Sequence, residues 1–433
     1  MIKAKKSVNN AMWIIGCKIV QSLLNVLVTM LTARYFGPAK YGVINYAASI
    51  VAFMLPFMNL GFTSTLVQEF VDYPEKEGQT LGTALVMNVI SSFVCMLGVV
   101  LFASIVNKGE TLTITVCALY SINLLFQALE MSQFWFQAKL LSKYTSLTML
   151  LSYIIVALYR IYLLITQKSI YWFAISQALD YMIISLVLLV LYNKLGGEKL
   201  SFSLGRGREL FAKSRYYIIS SLMITIFAQT DKIMLKMMIG DQATGYYSAA
   251  VVCAGLTGFI FSAIIDSAKP VVLEAKKIGK MQYENSLKML YAIVIYFAMA
   301  QSVAITLFSN IIIQILYGAD YVKSINILRL IVWYTTFSYL GSVRTIWILA
   351  EGKHEVLWGV NLSGAMMNVF LNYLLIPQWG TMGAAMASLV TQIFTNVIMG
   401  YILPSLRENN KLMLESLNPS IMLKGIKSIL LSR

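Results

Sequence analysis

Apolar residues in this chain form long unbroken runs, and short polar stretches separate them. A helix that crosses a bilayer needs about 20 predominantly apolar residues, and twelve runs meet that length. In the first half they cover about 11–33, 41–62, 82–106, 112–136, 145–166 and 171–193. In the second half they cover about 216–238, 245–268, 289–315, 327–350, 356–377 and 381–403. The alternation of a membrane barrel is missing, so strands are not expected. The longest polar connections are 194–215 and 269–288, too short to hold a soluble catalytic domain. The pattern predicts an all-α polytopic membrane protein of about twelve transmembrane helices.

Composition agrees. Of the 433 residues, 58% are hydrophobic and 12% charged, about half the ~25% of soluble domains. A net charge of +15 raises the question of nucleic acid. The positive residues are dispersed between apolar runs, however, as an orientation signal is, and no nucleic-acid partner is expected. With the N-terminus in the cytoplasm, 23 of the 34 Lys and Arg fall in cytoplasmic segments and 7 on the outer side. That asymmetry predicts cytoplasmic termini at both ends. Cys17, Cys95, Cys117 and Cys253 sit within apolar runs, without CxxC or zinc-ligand spacing, and are expected as buried free thiols. With His354 the only histidine, no metal site and no cofactor are expected.

The two sets of six runs echo each other. Gly37-Pro-Ala-Lys-Tyr-Gly42 after the first run has its counterpart in Gly240-Asp-Gln-Ala-Thr-Gly245 after the seventh, 203 positions on. Ala138-Lys139 and Gly352-Lys353 follow the fourth run of each set. Six passes per half keep both halves in one orientation, so a repeat of this kind is parallel. The expected organisation is an N-terminal lobe at 1–193, a basic cytoplasmic linker at 194–215, a C-terminal lobe at 216–404 and a cytoplasmic tail at 405–433. Pseudo-two-fold symmetry would relate the lobes around a central cavity. The tail stretch 421–431 places Lys424, Lys427 and Ser428 on one helical side and Ile and Leu on the other. It reads as an amphipathic helix on the inner leaflet, or as a frayed polar end.

Ala33-Arg-Tyr-Phe-Gly-Pro-Ala-Lys-Tyr-Gly42, followed by Leu60-Gly61-Phe62, resembles the Wzx-type lipid-linked oligosaccharide flippases. These are the polysaccharide transporters of the multidrug/oligosaccharidyl-lipid/polysaccharide exporter superfamily. The resemblance implies movement of an undecaprenyl-pyrophosphate-linked repeat unit from the inner to the outer leaflet of the bacterial cytoplasmic membrane. It also implies coupling to an ion gradient of H+ or Na+. Membrane lipids, a polysaccharide polymerase and a chain-length regulator are the partners it brings with it. A cation-coupled multidrug exporter of the same superfamily is the alternative. A membrane glycosyltransferase or polymerase is disfavoured, because a nucleotide-binding glycine loop, an Asp-x-Asp motif and a large external loop are all missing.

Charges inside the apolar runs are the candidate chemistry, since an ionised group in hydrocarbon costs a few kcal/mol or more and faces a cavity or a partner. Counted at 1.5 Å per residue, Arg160, Asp180, Asp231 and Lys232 share a layer roughly 9–14 Å below the outer surface. Arg160, Lys232, Lys18 and Asp231 are the candidate cavity residues for pyrophosphate and sugar. Arg offers phosphate a two-pronged fork, and Lys a point charge. Structural ion pairs or snorkelling explain the same residues without a ligand. Asp180, too short to snorkel, is the candidate H+ or Na+ coupling site, and Arg160 is placed to approach it across the hairpin of runs five and six. Asp231 and Lys232 point about 100° apart, so one of them, Lys232, is expected to face the cavity. Glu130 and Arg344, 214 apart near the inner ends of the fourth and tenth runs, are a candidate cytoplasmic gate pair. Interfacial anchoring beside Trp135 and Trp347 is the other reading of these two. Glu69 and Arg34 read as ordinary interfacial residues, and Lys236 as one of the outer charges.

Overall fold

Helix α1 (Ile2–Met58) holds 57 residues, which would run about 85 Å as one rod, against a hydrocarbon core of about 30 Å. The chain breaks it at Gly37 (φ 69°, ψ 174°), and the helix resumes at Pro38. Glycine enters this left-handed region without a Cβ clash, and proline suits a first helical position because its φ is already locked. The computed structural model describes residues 2–421, with side chains from residue 16 onward except Lys18 and His354.

Before the break α1 runs along α7 (Ser142–Ile165): the Tyr153 hydroxyl donates to Asn25 and that of Tyr35 to the Lys168 carbonyl. After the break it runs against α3 (Glu77–Val106), with Tyr46 on Asn107 and the Phe57 carbonyl on Ser91. The chain therefore doubles back at Gly37. A pass of three short helices follows α3: α4 (Thr111–Ser121), α5 (Asn123–Leu129) and α6 (Gln133–Ala138), with a 3-10 turn at Glu130–Ser132. The short α2 (Leu66–Asp72) precedes α3, and α8 (Ile170–Lys194) pairs antiparallel with α7. Helix α9 (Leu204–Met238) merges most of the polar connection 194–215 with the seventh apolar run into one 35-residue helix.

The second half repeats the device. Gly240 (φ 122°, ψ −177°) separates α9 from α10 (Asp241–Ala254), an extended glycine like Gly37 at the matching place in the echoed hexapeptide. Helix α10 and α11 (Gly258–Ile278) make one pass bent by 45°. Then come α12 (Lys280–Tyr317), α13 (Ser324–Ala350) and α14 (His354–Ile393), which breaks at Gly380 (φ 56°, ψ −130°). A π-helical turn at Phe394–Ile398, α15 (Met399–Ile402) and α16 (Arg407–Glu415) complete the described chain. Among the described residues, eight helices are long and apolar enough to span a membrane. Two of them are split at Gly37 and Gly380, and the bent pair and α13 add one pass each, which gives twelve passes. No strand occurs among the described residues.

The chain divides into two compact units, residues 1–237 and 238–433. In the first, Val43, Tyr46, Ile50, Val99, Val116 and Leu124 form one buried cluster, and Phe62, Leu66, Trp135, Leu188, Tyr192 and Leu210 form another. In the second, Phe261, Leu287, Tyr291, Val343, Trp347 and Leu406 are central. Helix α16 docks on α12 through Tyr291 to Asn409 (3.0 Å) and the Lys288–Glu415 ion pair (2.5 Å). Residues 422–431 of the expected amphipathic tail lie outside the described residues.

Exposed apolar side chains lie in helical stripes. On α3 they are Ile90, Phe93, Val94, Leu97, Leu101 and Ile105, and on α12 Leu307, Phe308, Ile311 and Ile315. Patches of that size are not left against water by soluble monomers; hydrocarbon is the solvent that accepts them. Thr80, Thr83, Asn88, Ser92, Ser152 and Ser176 are buried instead. The four cysteines are free and buried.

Candidate functional site

The first unit holds a polar cluster between α7 and α8. Ser152 and Arg160 lie two turns apart on α7, and Ser176 and Asp180 one turn apart on α8, so the four fall on facing stripes. The Arg160 Nε–H donates to Ser176 Oγ (2.8 Å), and an Nη–H donates to Gln177 Oε1 (2.8 Å). Ser152 Oγ lies 2.7 Å from Asp180 Oδ1 and 2.9 Å from the Asp180 carbonyl oxygen. Arg160 is near enough for its charge to act on Asp180, yet the two make no ion pair among the described residues. Ser176 and Gln177, one turn before Asp180, intercept the guanidinium fork. The carboxylate keeps one hydroxyl donor, although it is 8% exposed.

Glu130, in the 3-10 turn between α5 and α6, lies within electrostatic reach of Asp180 and of Tyr181. Tyr153 extends the polar line to Asn25 on α1, whose Oδ1 it shares with Thr29. Two carboxylates, one guanidinium and several hydroxyls thus lie within electrostatic reach of one another between helices whose outer faces are apolar. Such a cluster can bind a cation at its carboxylates and hydrogen-bond hydroxylated or anionic groups through its donors.

The remaining candidates stand elsewhere. On α9 Asp231 is buried and Lys232 half-buried, with Lys232 Nζ 3.4 Å from Gln229 Oε1, which also accepts from Ser49 (3.0 Å). The Lys18 side chain lies outside the described residues. Arg344, in the second unit, is buried on α13 and donates to the Thr395 carbonyl in the π-helical turn, which frees backbone oxygens from the i to i−4 ladder. Its Nε–H finds no acceptor among the described residues. Gly341 admits this packing, since a Cβ there would come within 2.5 Å of Asn396 Oδ1.

Two charged clusters in the first unit escaped the sequence reading. Glu69 is buried and takes Arg206 on one oxygen (2.6 Å) and Lys213 on the other (2.5 Å). Arg206 also donates to Thr80 (3.0 Å) and Glu209 (3.0 Å) and lies 5.2 Å from the Tyr73 ring centre. The available signal was the net acidic stretch 68–78 set against the basic stretch 194–215. At the other end of α9, the buried Lys236 pairs with Glu110 (2.6 Å), just before α4. Burial pushes the Glu110 carboxyl up, but hydrogen bonds from Lys236 and Thr113 and the Lys236 charge outweigh it and hold it below the usual range. These ties hold both ends of α9 to the first unit.

A sequence profile described as polysaccharide biosynthesis protein matches residues 7–276. The chain belongs to that family. It is 22% identical over 396 residues to the capsular polysaccharide biosynthesis protein CapF of Staphylococcus aureus, covering 89% of this chain and 96% of that one. Among solved structures, the lipid II flippase MurJ in an inward closed conformation superposes with a TM-score of 0.68 at 16% identity, over 97% of this chain and 92% of that one. An inward-facing multidrug resistance MATE family transporter of the MOP superfamily reaches 0.68 at 13% identity, over 91% and 96%. This member of the polysaccharide biosynthesis family is therefore a multi-pass membrane protein with the two-unit fold shared by those transporters.

Proposed function

We propose that this protein moves an undecaprenyl-pyrophosphate-linked oligosaccharide repeat unit from the inner to the outer leaflet of a bacterial cytoplasmic membrane. The work is transport by alternating access, with no covalent chemistry and both termini cytoplasmic. The observation that carries the reading is the half-buried Arg160 near the buried Asp180 between lipid-facing helices of a polysaccharide biosynthesis chain. Arg160 supplies a fork for pyrophosphate, while Lys232, Asp231 and Lys18 supply further polar contacts to the sugar-phosphate. Asp180, without an ion-pair partner among the described residues, is the proposed H+ or Na+ coupling group, and Glu130 and Arg344 the proposed gate pair. A polysaccharide polymerase and a chain-length regulator are the proposed partners downstream.

The test is Arg160→Ala in a strain that depends on this gene for surface polysaccharide. Polysaccharide should be lost while the protein stays at wild-type level in the membrane, and lipid-linked repeat units should accumulate on the inner leaflet. Wild-type polysaccharide from the variant would remove Arg160 from the pathway. A cation-coupled drug exporter, the competing reading, predicts instead that loss of the gene sensitises cells to cationic dyes and leaves polysaccharide intact.

A further inference from the structure

Where α9 begins, an apolar groove of about 670 Å³ opens between it, the end of α1 and α3. Leu60, Met87, Ile90, Phe202, Leu204 and Phe211 line it. Leu204 is 79% and Ile90 61% exposed, so the groove is open along the side where the apolar α3 stripe from Ile90 to Ile105 begins. The volume is that of an ordinary small-molecule site. Ser91, the hydroxyl on its wall, already donates to the Phe57 carbonyl.

Among the described residues that line the groove, the charged one is Arg208. Its neighbours Arg206 and Lys213 are paired, both with Glu69 and Arg206 also with Glu209, but Arg208 is exposed and forms no ion pair among the described residues. The first turn of α9 carries no acidic residue either, so its positive dipole end adds to the same charge. An apolar trough that continues a lipid-facing stripe, with a lone guanidinium beside it, is the complement of an amphiphile with an aliphatic chain and an anionic phosphate head. We infer that this groove holds one acyl chain of an anionic glycerophospholipid of the surrounding bilayer, with its phosphodiester on Arg208. The site is separate from the Arg160–Asp180 cluster and does not rest on the transport reading.

The experiment measures lipid retention by the purified full-length protein, with chain-matched phosphatidylglycerol and phosphatidylcholine as probes and native mass spectrometry as readout. Wild type should retain phosphatidylglycerol in preference. Arg208→Ala should lower its affinity about fivefold, the effect of one basic residue at an anionic surface, and leave phosphatidylcholine unchanged. Gly205→Leu fills the groove: a Cβ at this lining residue meets nothing nearer than Ser203 Oγ at 3.9 Å, and leucine is the better helix former. It should reduce both lipids together, with an unchanged lipid-free melting temperature as the folding control. Equal retention of the two lipids by wild type, or wild-type retention by both variants, overturns the site. Concentration-dependent dimerisation that Gly205→Leu abolishes would assign the groove to a second copy of the chain and overturn it equally.

Discussion

Glu69→Ala removes the carboxylate that two cations share. Arg206 and Glu69 are each 5% exposed, whereas Lys213 is 48% exposed. Deleting one partner of a buried ion pair costs about 3–5 kcal/mol, because the other charge stays buried. Arg206 retains Thr80 and the exposed Glu209, so the low end, about 3 kcal/mol, applies. Lys213 faces solvent, and its half of the cluster is worth about 0.5 kcal/mol. At roughly 2 °C per kcal/mol for a unit of this size, Glu69→Ala should melt about 6 °C below wild type and Lys213→Ala about 1 °C below. Glu69→Leu combined with Arg206→Leu should recover most of the loss, since neither charge is then stranded. Tryptophan-fluorescence melts of the detergent-purified protein measure all four. A Glu69→Ala melt within about 1 °C of wild type, or equal losses from Glu69→Ala and Lys213→Ala, would refute the buried-pair reasoning.

Asp180→Asn keeps the Ser152 hydrogen bond but cannot ionise, so transport should persist weakly and lose its dependence on the ion gradient; unchanged dependence in vesicles of imposed gradient removes the coupling role. Reversing charge at Glu130 alone and at Arg344 alone should each reduce polysaccharide, and the double reversal should restore part of it if they form a gate; no rescue leaves two separate structural residues. At the Met238 end of α9 the Glu110 carboxyl sits below its ordinary value, so its contribution to stability is present above the unfolded pKa of about 4.3 and fades as pH falls through the folded value. Glu110→Gln should therefore melt below wild type by a constant margin from pH 6 to 8, and the margin should close in acid. A margin independent of pH would show that the Lys236 ion pair is not its source.

The span boundaries were legible because a run of apolar residues and its flanking charges are contiguous: 145–166 became Ser142–Ile165, and 171–193 became Ile170–Lys194. The depth count also brought Arg160 and Asp180 to one level on paired helices. It stopped short of their partners, since Ser176 and Gln177 compete for the guanidinium and only side-chain geometry ranks them against Asp180. Glu69 read as interfacial because its helix was taken alone; Arg206, 137 positions away, buries it. Lys236, counted as an outer charge, is buried by Glu110 in the same manner.

By itself, the sequence determined the solvent, the twelve helical passes and the breaks at Gly37 and Gly240. Hydrocarbon obliges every backbone group to bond within its own segment, so a span is decided by its own residues, and an extended, positive-φ turn by its own glycine. The pairing of buried charges was decided only by the tertiary structure. An ionised group seeks whichever counter-charge or hydroxyl the neighbouring helix presents, and that neighbour is set by packing across a hundred or more positions of chain. The ties of α9 to Glu69 and Glu110, and Asp180 and Arg208 without an ion pair among the described residues, belong to that second kind.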